Sequence, residues 1–221
     1  DRFWALSLVD EWKIDNPSEI ETLDHSIQNL GLHALWFKSG QLRTHGRLEM
    51  IDDPKFYPFW DHVMKIGIPV FWFVTPGIPG QQAYMEELMA FGRWKTRYPD
   101  IPVMLTHGIP LARFMKNGKV TIPEEVWKVL NSPNMLIEIL IPIFQGAMWD
   151  YPYSEAQPII QEYYNRFGAE RLAWGSDMPN VERHCTYKQS LNYLRRYSDF
   201  ISSSEMDKIC GSNVGQLMSK S

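Results

Sequence analysis

The sequence lacks what a nucleic-acid or membrane protein needs. Its 22 Lys and Arg are outnumbered by 26 Asp and Glu, for a net charge of -4, whereas phosphate recognition calls for clustered cations. The densest basic pair, Arg195-Arg196, falls in a helical pattern and reads as a solvated helix face. No apolar run reaches the ~18 residues of a membrane span. The longest, Met135 to Phe144, is interrupted by Glu138 and Pro142. There are two cysteines, Cys185 and Cys210, in neither a CxxC pair nor a zinc-finger spacing, which argues for a reduced, cytoplasmic protein. Asp1-Arg2-Phe3-Trp4 has no signal-peptide pattern and reads as the opening of a strand. Asp10-Glu11-Trp12-Lys13 follows the first apolar segment where a nucleotide-binding fold would carry a glycine-rich turn. Walker A and GxSxG sequences are also absent. With no repeat, low-complexity tract or Gly/Ser linker, residues 1–221 read as a single domain.

What is present is an alternation of short apolar runs with amphipathic segments. Strands are expected at Arg2–Val9, His33–Phe37, Pro69–Val74, Pro102–Thr106, Asn134–Ile141 and Arg171–Trp174. Helices are expected at Pro17–Leu30, Phe56–Ile66, Gln81–Tyr98, Pro123–Leu130 and Ser154–Phe167, then near Thr186–Tyr197, Ser203–Ile209 and Asn213–Met218. Lys38 to about Pro54 reads as a polar loop. Asn16 suits an N-cap with Pro17 at the first helical position, and Gly31, Gly67 and Gly168 suit helix ends. The strands are near-continuously apolar, as in a parallel sheet covered on both faces. A (β/α)8 barrel and an open doubly wound sheet both fit, and the missing glycine-rich turn favours the barrel.

In barrels the chemistry lies at the C-terminal ends of the strands. The polar residues at those positions are Asp10, Lys38, Thr75, His107, Ser176 and Asp177, with Glu138 inside its strand and Gln145 just beyond. A neutral His and an ionised Asp can both ligate a divalent metal, and the Asp can instead act as general base toward a water. Alone, such a His is more often hydrogen-bonded packing and such an Asp more often a turn former or cap, and it is the two at equivalent strand ends that bring the functional reading level with these. Glu138, in an apolar strand, is a buried-carboxylate candidate that needs a partner. Trp36, Trp72, Phe73 and Trp149 read as core rather than pocket lining.

Three segments carry a resemblance. Arg171-Leu-Ala-Trp-Gly-Ser-Asp177-Met-Pro179 resembles the final-strand signature of amidohydrolase family 2. Lys208-Ile-Cys-Gly-Ser-Asn213-Val-Gly-Gln-Leu217 is similar to its closing helix, and Val103-Met-Leu-Thr-His107-Gly108 to its fifth strand. The resemblance runs from about Arg2 to the C-terminus. It implies a (β/α)8 TIM-type barrel with one divalent metal, often zinc, held by an HxH pair on the first strand, the His after the fifth and an Asp after the eighth. On that pattern His107 and Asp177 are metal ligands and catalytic residues, Asp177 moving the proton of the attacking water. The six histidines, His25, His33, His45, His62, His107 and His184, contain no HxH. The chain is therefore expected to begin at the second barrel strand and to hold its metal weakly or not at all. In the loop past Asp177, Asn180, Arg183 and His184 are expected to meet substrate, with Arg183 suited to a carboxylate; Lys38 is a further candidate. His184 could alternatively satisfy the start of the helix near Thr186.

The resemblance implies a metal-dependent hydrolase acting on a small carboxylated or cyclic, lactone-like substrate through an activated water. Two alternatives stay open. One is a non-oxidative decarboxylase of an unsaturated or aromatic acid, although Leu140-Ile-Pro-Ile-Phe-Gln145 lacks the His that several decarboxylating relatives carry there. The other is an inactive barrel kept for binding or assembly. The partner is a small molecule rather than nucleic acid or a membrane, and a homo-oligomer is compatible with the sequence.

Overall fold

Apolar runs become parallel strands, and the amphipathic stretches between them become helices, in the computed structural model, which describes residues 3–145 and 149–219. Arg2, expected to open the first strand, and the side chain of Gln145 lie outside the described residues. The chain forms two compact units, one of Asp1–Thr106, Pro123–Met135 and Leu217–Ser221, the other of His107–Ile122 and Leu136–Gln216.

The first unit runs β1 (Leu6–Ser7), α1 (Pro17–Asp24), β2 (Ala34–Lys38), α2 (Gln41–Thr44), α3 (Tyr57–Ile66), β3 (Val70–Phe73), α4 (Gln81–Arg97), β4 (Val103–Leu105) and α5 (Glu124–Leu130). Successive strands pair in parallel, with Leu6 opposite Ala34, Leu35 opposite Val70 and Trp72 opposite Leu105. Leu35, Phe37, Val70, Trp72, Val103 and Leu105 are all fully buried, which is why these strands read as unbroken apolar runs. Asn16 caps α1 by accepting from the Ser18 N–H at 3.1 Å, and Gly67 ends α3 with φ 75°. Among the described residues of the expected first strand, Leu6 and Ser7 form the ladder with β2, the Ala5 carbonyl accepts from the His33 N–H at 2.9 Å, and Phe3 and Leu8 are exposed. The expected loop after Lys38 contains α2, and the first helix continues from Asp24 through a π-helical turn, His25–Asn29.

Glu87, on the buried face of α4, is 2% exposed, and burial pushes its carboxyl up to about 7. A carboxyl raised above its unfolded value binds its proton more tightly in the folded state. Its contribution to stability is therefore full below the ordinary carboxylate range and is lost as pH rises through about 7. The loss amounts to about 3 kcal/mol. Urea unfolding at about pH 5 and about pH 8 should show wild type losing more stability across that interval than Glu87→Gln. Identical losses would mean that Glu87 is ionised in the folded protein.

The second unit opens with a hairpin, β5 (Met115–Lys116) and β6 (Lys119–Val120), turning on Asn117-Gly118, both with positive φ. It continues with β7 (Met135–Ile139), α6 (Ile141–Gln145), α7 (Gln157–Phe167), β8 (Leu172–Trp174), α8 (Tyr187–Arg195), α9 (Ser203–Asp207) and α10 (Asn213–Met218). β7 pairs with β8 in parallel, Glu138 opposite Ala173. β7 is shorter than the expected Asn134–Ile141 because Ile141 already opens α6. Thr186 and Ser202 start α8 and α9 with capping boxes to Gln189 and Glu205. Among the described residues no helix is long and apolar enough to cross a membrane.

Candidate active site

The ends of β7 and β8 are held by polar contacts from the helices that follow. Tyr193 of α8, fully buried, donates its hydroxyl to the Ile139 carbonyl at 3.1 Å and accepts from the Ile141 N–H at 3.4 Å. Burial drives that phenol far above its ordinary pKa, so it remains a neutral donor. Asn213, in the segment resembling a family closing helix, donates to the Ala169 and Leu172 carbonyls at 2.7 and 2.8 Å. Trp174 donates its indole N–H to the Ser190 carbonyl at 2.7 Å. The turn that follows β8 thus leaves from a fixed base.

His107 and Asp177 come together there. His107 Nε2 lies 3.7 Å from Asp177 Oδ2, with side chains 15% and 22% exposed. Both residues have left-handed backbone, φ 64° and 49°, a region few non-glycine residues enter and one enriched in His, Asn and Asp. Such strain at two facing polar residues is the pattern expected of a functional site.

Glu138 is the third group. The His107 N–H donates to Glu138 Oε2. Burial raises the Glu138 carboxyl to about 7; the His107 amide opposes that rise and the nearby Asp177 charge adds to it. Glu138 is half-buried by area, and with His107, Tyr163 and aliphatic neighbours it lines a cavity of about 10 Å³. That volume suits roughly one water molecule.

On the outer side, Asn180 donates to Asp177 Oδ1 at 3.3 Å, and Arg183 donates to Asn180 Oδ1. Asn180 and Arg183, expected to meet substrate, are therefore chained to Asp177. His184 closes the same turn through its backbone, 2.9 Å from the Val181 carbonyl. Thr186 caps α8 by itself, so His184 is not needed for that end. Lys38 belongs to the first unit, where its N–H donates to Glu11 Oε1 at 3.2 Å and its Nζ lies 5.9 Å from the Phe73 ring centre. Tyr193 had no sequence signal, since a Tyr on an amphipathic helix is ordinary; Glu138 was visible as the charge inside an apolar strand.

The donor set can be tested against a metal. Two ligands bound to one zinc at ~2.0–2.2 Å stand roughly 3.4 Å apart in a tetrahedral site. The 3.7 Å between His107 Nε2 and Asp177 Oδ2 is near that spacing, so this pair fits one edge of a metal site. Among the described residues no group of three His, Cys, Asp or Glu is placed to hold an ion.

Comparison with known proteins identifies the family and the fold. A family model described as amidohydrolase matches residues 14–214. The L-fucono-1,5-lactonase of Burkholderia ambifaria is 25% identical over 187 residues, covering 79% of this chain and 54% of that protein. The chain thus spans about half the length of this curated relative. An uncharacterized TIM-barrel protein from Bordetella bronchiseptica superposes with a TM-score of 0.67 at 19% identity, covering 100% of this chain and 68% of the other. An amidohydrolase from Burkholderia multivorans with bound zinc gives 0.66 at 13% identity, covering 94% and 71%. These likenesses show the fold, a parallel α/β fold of TIM-barrel type, as the alternation of strands and helices predicts.

Proposed function

This chain belongs to the amidohydrolase family, and from that premise we propose that it is a metal-dependent hydrolase that opens a small carboxylated or cyclic, lactone-like substrate with an activated water. The observation that carries the reading is the facing pair, His107 Nε2 and Asp177 Oδ2 at 3.7 Å, both on left-handed backbone. The lactonase relative supports the substrate class, and the zinc in the Burkholderia multivorans amidohydrolase supports the cofactor. His107 and Asp177 would hold the ion, zinc or a similar divalent cation. When bound, it lowers the pKa of water and polarises a carbonyl.

The chain's own residues do the rest. Asn180 fixes Asp177 through Oδ1, which leaves Oδ2 to take a proton from the attacking water. The water oxygen bonds to the carbonyl carbon, the ring C–O bond breaks, and the proton passes to the leaving oxygen, giving a hydroxy acid. Arg183, oriented by Asn180, binds the substrate carboxylate. The protein acts on a small molecule in the cytoplasm, in keeping with free thiols at Cys185 and Cys210.

Assays of the full protein on panels of lactones and of unsaturated and aromatic acids, with zinc or manganese added, test this directly. Ring-opened hydroxy acids are expected. Carbon dioxide release instead would establish a decarboxylase, and turnover of neither panel would leave a barrel used for binding or assembly. A narrower prediction concerns Arg183→Met. It should raise KM for a carboxylated lactone by about tenfold or more and leave an uncharged lactone unaffected. Equal losses on both substrates would remove Arg183 from carboxylate recognition.

A further inference from the structure

We propose that Glu138 is a positioning residue that braces His107 and Asp177 against each other; the inference rests on the reading of that pair as the site. Glu138 is the one charged residue of β7. An aliphatic side chain would continue the apolar run of β7 at less expense, since a carboxylate partly withdrawn from water loses hydration. What the carboxylate does there can be read from both turns. Its Oε2 accepts the His107 N–H. Its other oxygen occupies the space a side chain would need at Gly175, two residues before Asp177: the three atoms nearest to a Cβ built on Gly175 are Glu138 Oε1, Cδ and Cγ. Gly175 does not have positive φ, so glycine is required there for room and not for conformation. The Glu138 carbonyl in turn lies where a Cβ on Gly108 would fall. One residue of β7 therefore meets the turn that carries His107 through both side chain and backbone, and the turn that carries Asp177 through its carboxylate. Neither turn can slide past the other while the carboxylate stays between them, and His107 Nε2 and Asp177 Oδ2 are held at their 3.7 Å separation.

Amide hydrogen exchange at His107 tests the brace, in wild type, Glu138→Gln, Glu138→Ala, Gly175→Ala and the double variant Glu138→Ala/Gly175→Ala. Loss of the carboxylate acceptor should speed His107 exchange by about tenfold or more in Glu138→Ala. Gly175→Ala should do the same, because its methyl group expels the carboxylate while every side chain of the site is kept. Glu138→Gln retains the shape, with its amide oxygen placed to accept the His107 N–H, and should stay within about threefold of wild type. In the double variant Gly175→Ala should add nothing, since the atoms it would displace are gone. In lactone turnover Glu138→Ala should lower kcat by about 10-fold to 100-fold with KM little changed, because the reacting groups are misplaced and not the substrate contacts. Glu138→Gln should restore kcat. Unchanged exchange at His107 in Gly175→Ala, or multiplicative effects in the double variant, would overturn the brace. If wild type opens no lactone, the hydrolase reading falls while the exchange data still decide the brace. If Glu138→Ala does not fold, Gly175→Ala against Glu138→Gln makes the same comparison.

Discussion

Asp177→Asn should lower kcat/KM for lactone opening by about 10²- to 10⁴-fold, the range lost when a general base is removed. The substitution keeps the shape of the side chain and removes its charge and its ability to take a proton. Asparagine tolerates the left-handed backbone at this position, φ 49°. Its amide oxygen can still accept from Asn180, as Asp177 Oδ1 does now at 3.3 Å. The side chain is 22% exposed at the mouth of the strands, so unfolding free energy should move by no more than about 1–2 kcal/mol. Steady-state kinetics and thermal melts on the same preparation separate the two effects. A variant that keeps more than about a tenth of wild-type kcat/KM would show that Asp177 is not the base. A variant that is inactive because it has lost its fold would make Asp177 a structural residue.

Trp72→Ala carries the largest expected effect on stability. Trp72 is fully buried on β3, and four aromatic rings surround it: Trp94 at 4.4 Å, Phe37 at 4.7 Å, Phe91 at 5.0 Å and Trp60 at 5.2 Å between centroids. Three of these contacts are tilted and the one with Trp60 is stacked, and ring pairs of this kind add to what the buried area contributes. Truncation to alanine leaves a cavity whose walls are themselves large rigid rings that cannot collapse into it, for a loss of about 3–5 kcal/mol. In a chain of this length that is a fall in Tm of about 10–15 °C. Trp72→Phe should lose less, because it fills most of the space and removes a buried indole N–H that meets no hydrogen-bond partner among the described residues. Melting of Trp72→Ala within a few degrees of wild type would mean that the cluster does not carry the core of the first unit.

Much of the fold was legible because parallel strands buried on both faces leave unbroken apolar runs. Val70–Phe73 and Leu172–Trp174 fall inside the expected strands, with ends displaced by a residue or so. The helix at Asn213–Met218 has the expected bounds. The short elements escaped. α2 has too few residues to show a period, and the hairpin at Asn117-Gly118 lay in a stretch given no element, although that dipeptide is itself a turn signal. Trp72 proved to be core, as expected, because a barrel strand buries its large side chains against its neighbours.

The site was legible to the extent that it depends on strand ends. His107 and Asp177 stand out as polar residues following apolar strands, and within the second unit their side chains face each other. Glu138 was visible as a carboxylate that had to find a partner, but the partner was not. Its hydrogen-bond donor is the backbone of a residue 31 positions earlier, and a main-chain N–H leaves no mark in sequence. Lys38 was expected just past a strand and is instead the last residue of β2, where its neighbours are Glu11 and Phe73 of the first unit. Position after a strand narrows the candidates without choosing among them.

If His107 and Asp177 together support metal-dependent hydrolysis, lactone turnover by the full protein must follow its metal, measured after a chelator has stripped the ion and again after zinc is restored. Turnover should vanish on stripping and return with zinc in wild type, and should not return in His107→Gln or Asp177→Asn. Turnover that survives the chelator, or that zinc restores in either variant, would contradict that role of the pair.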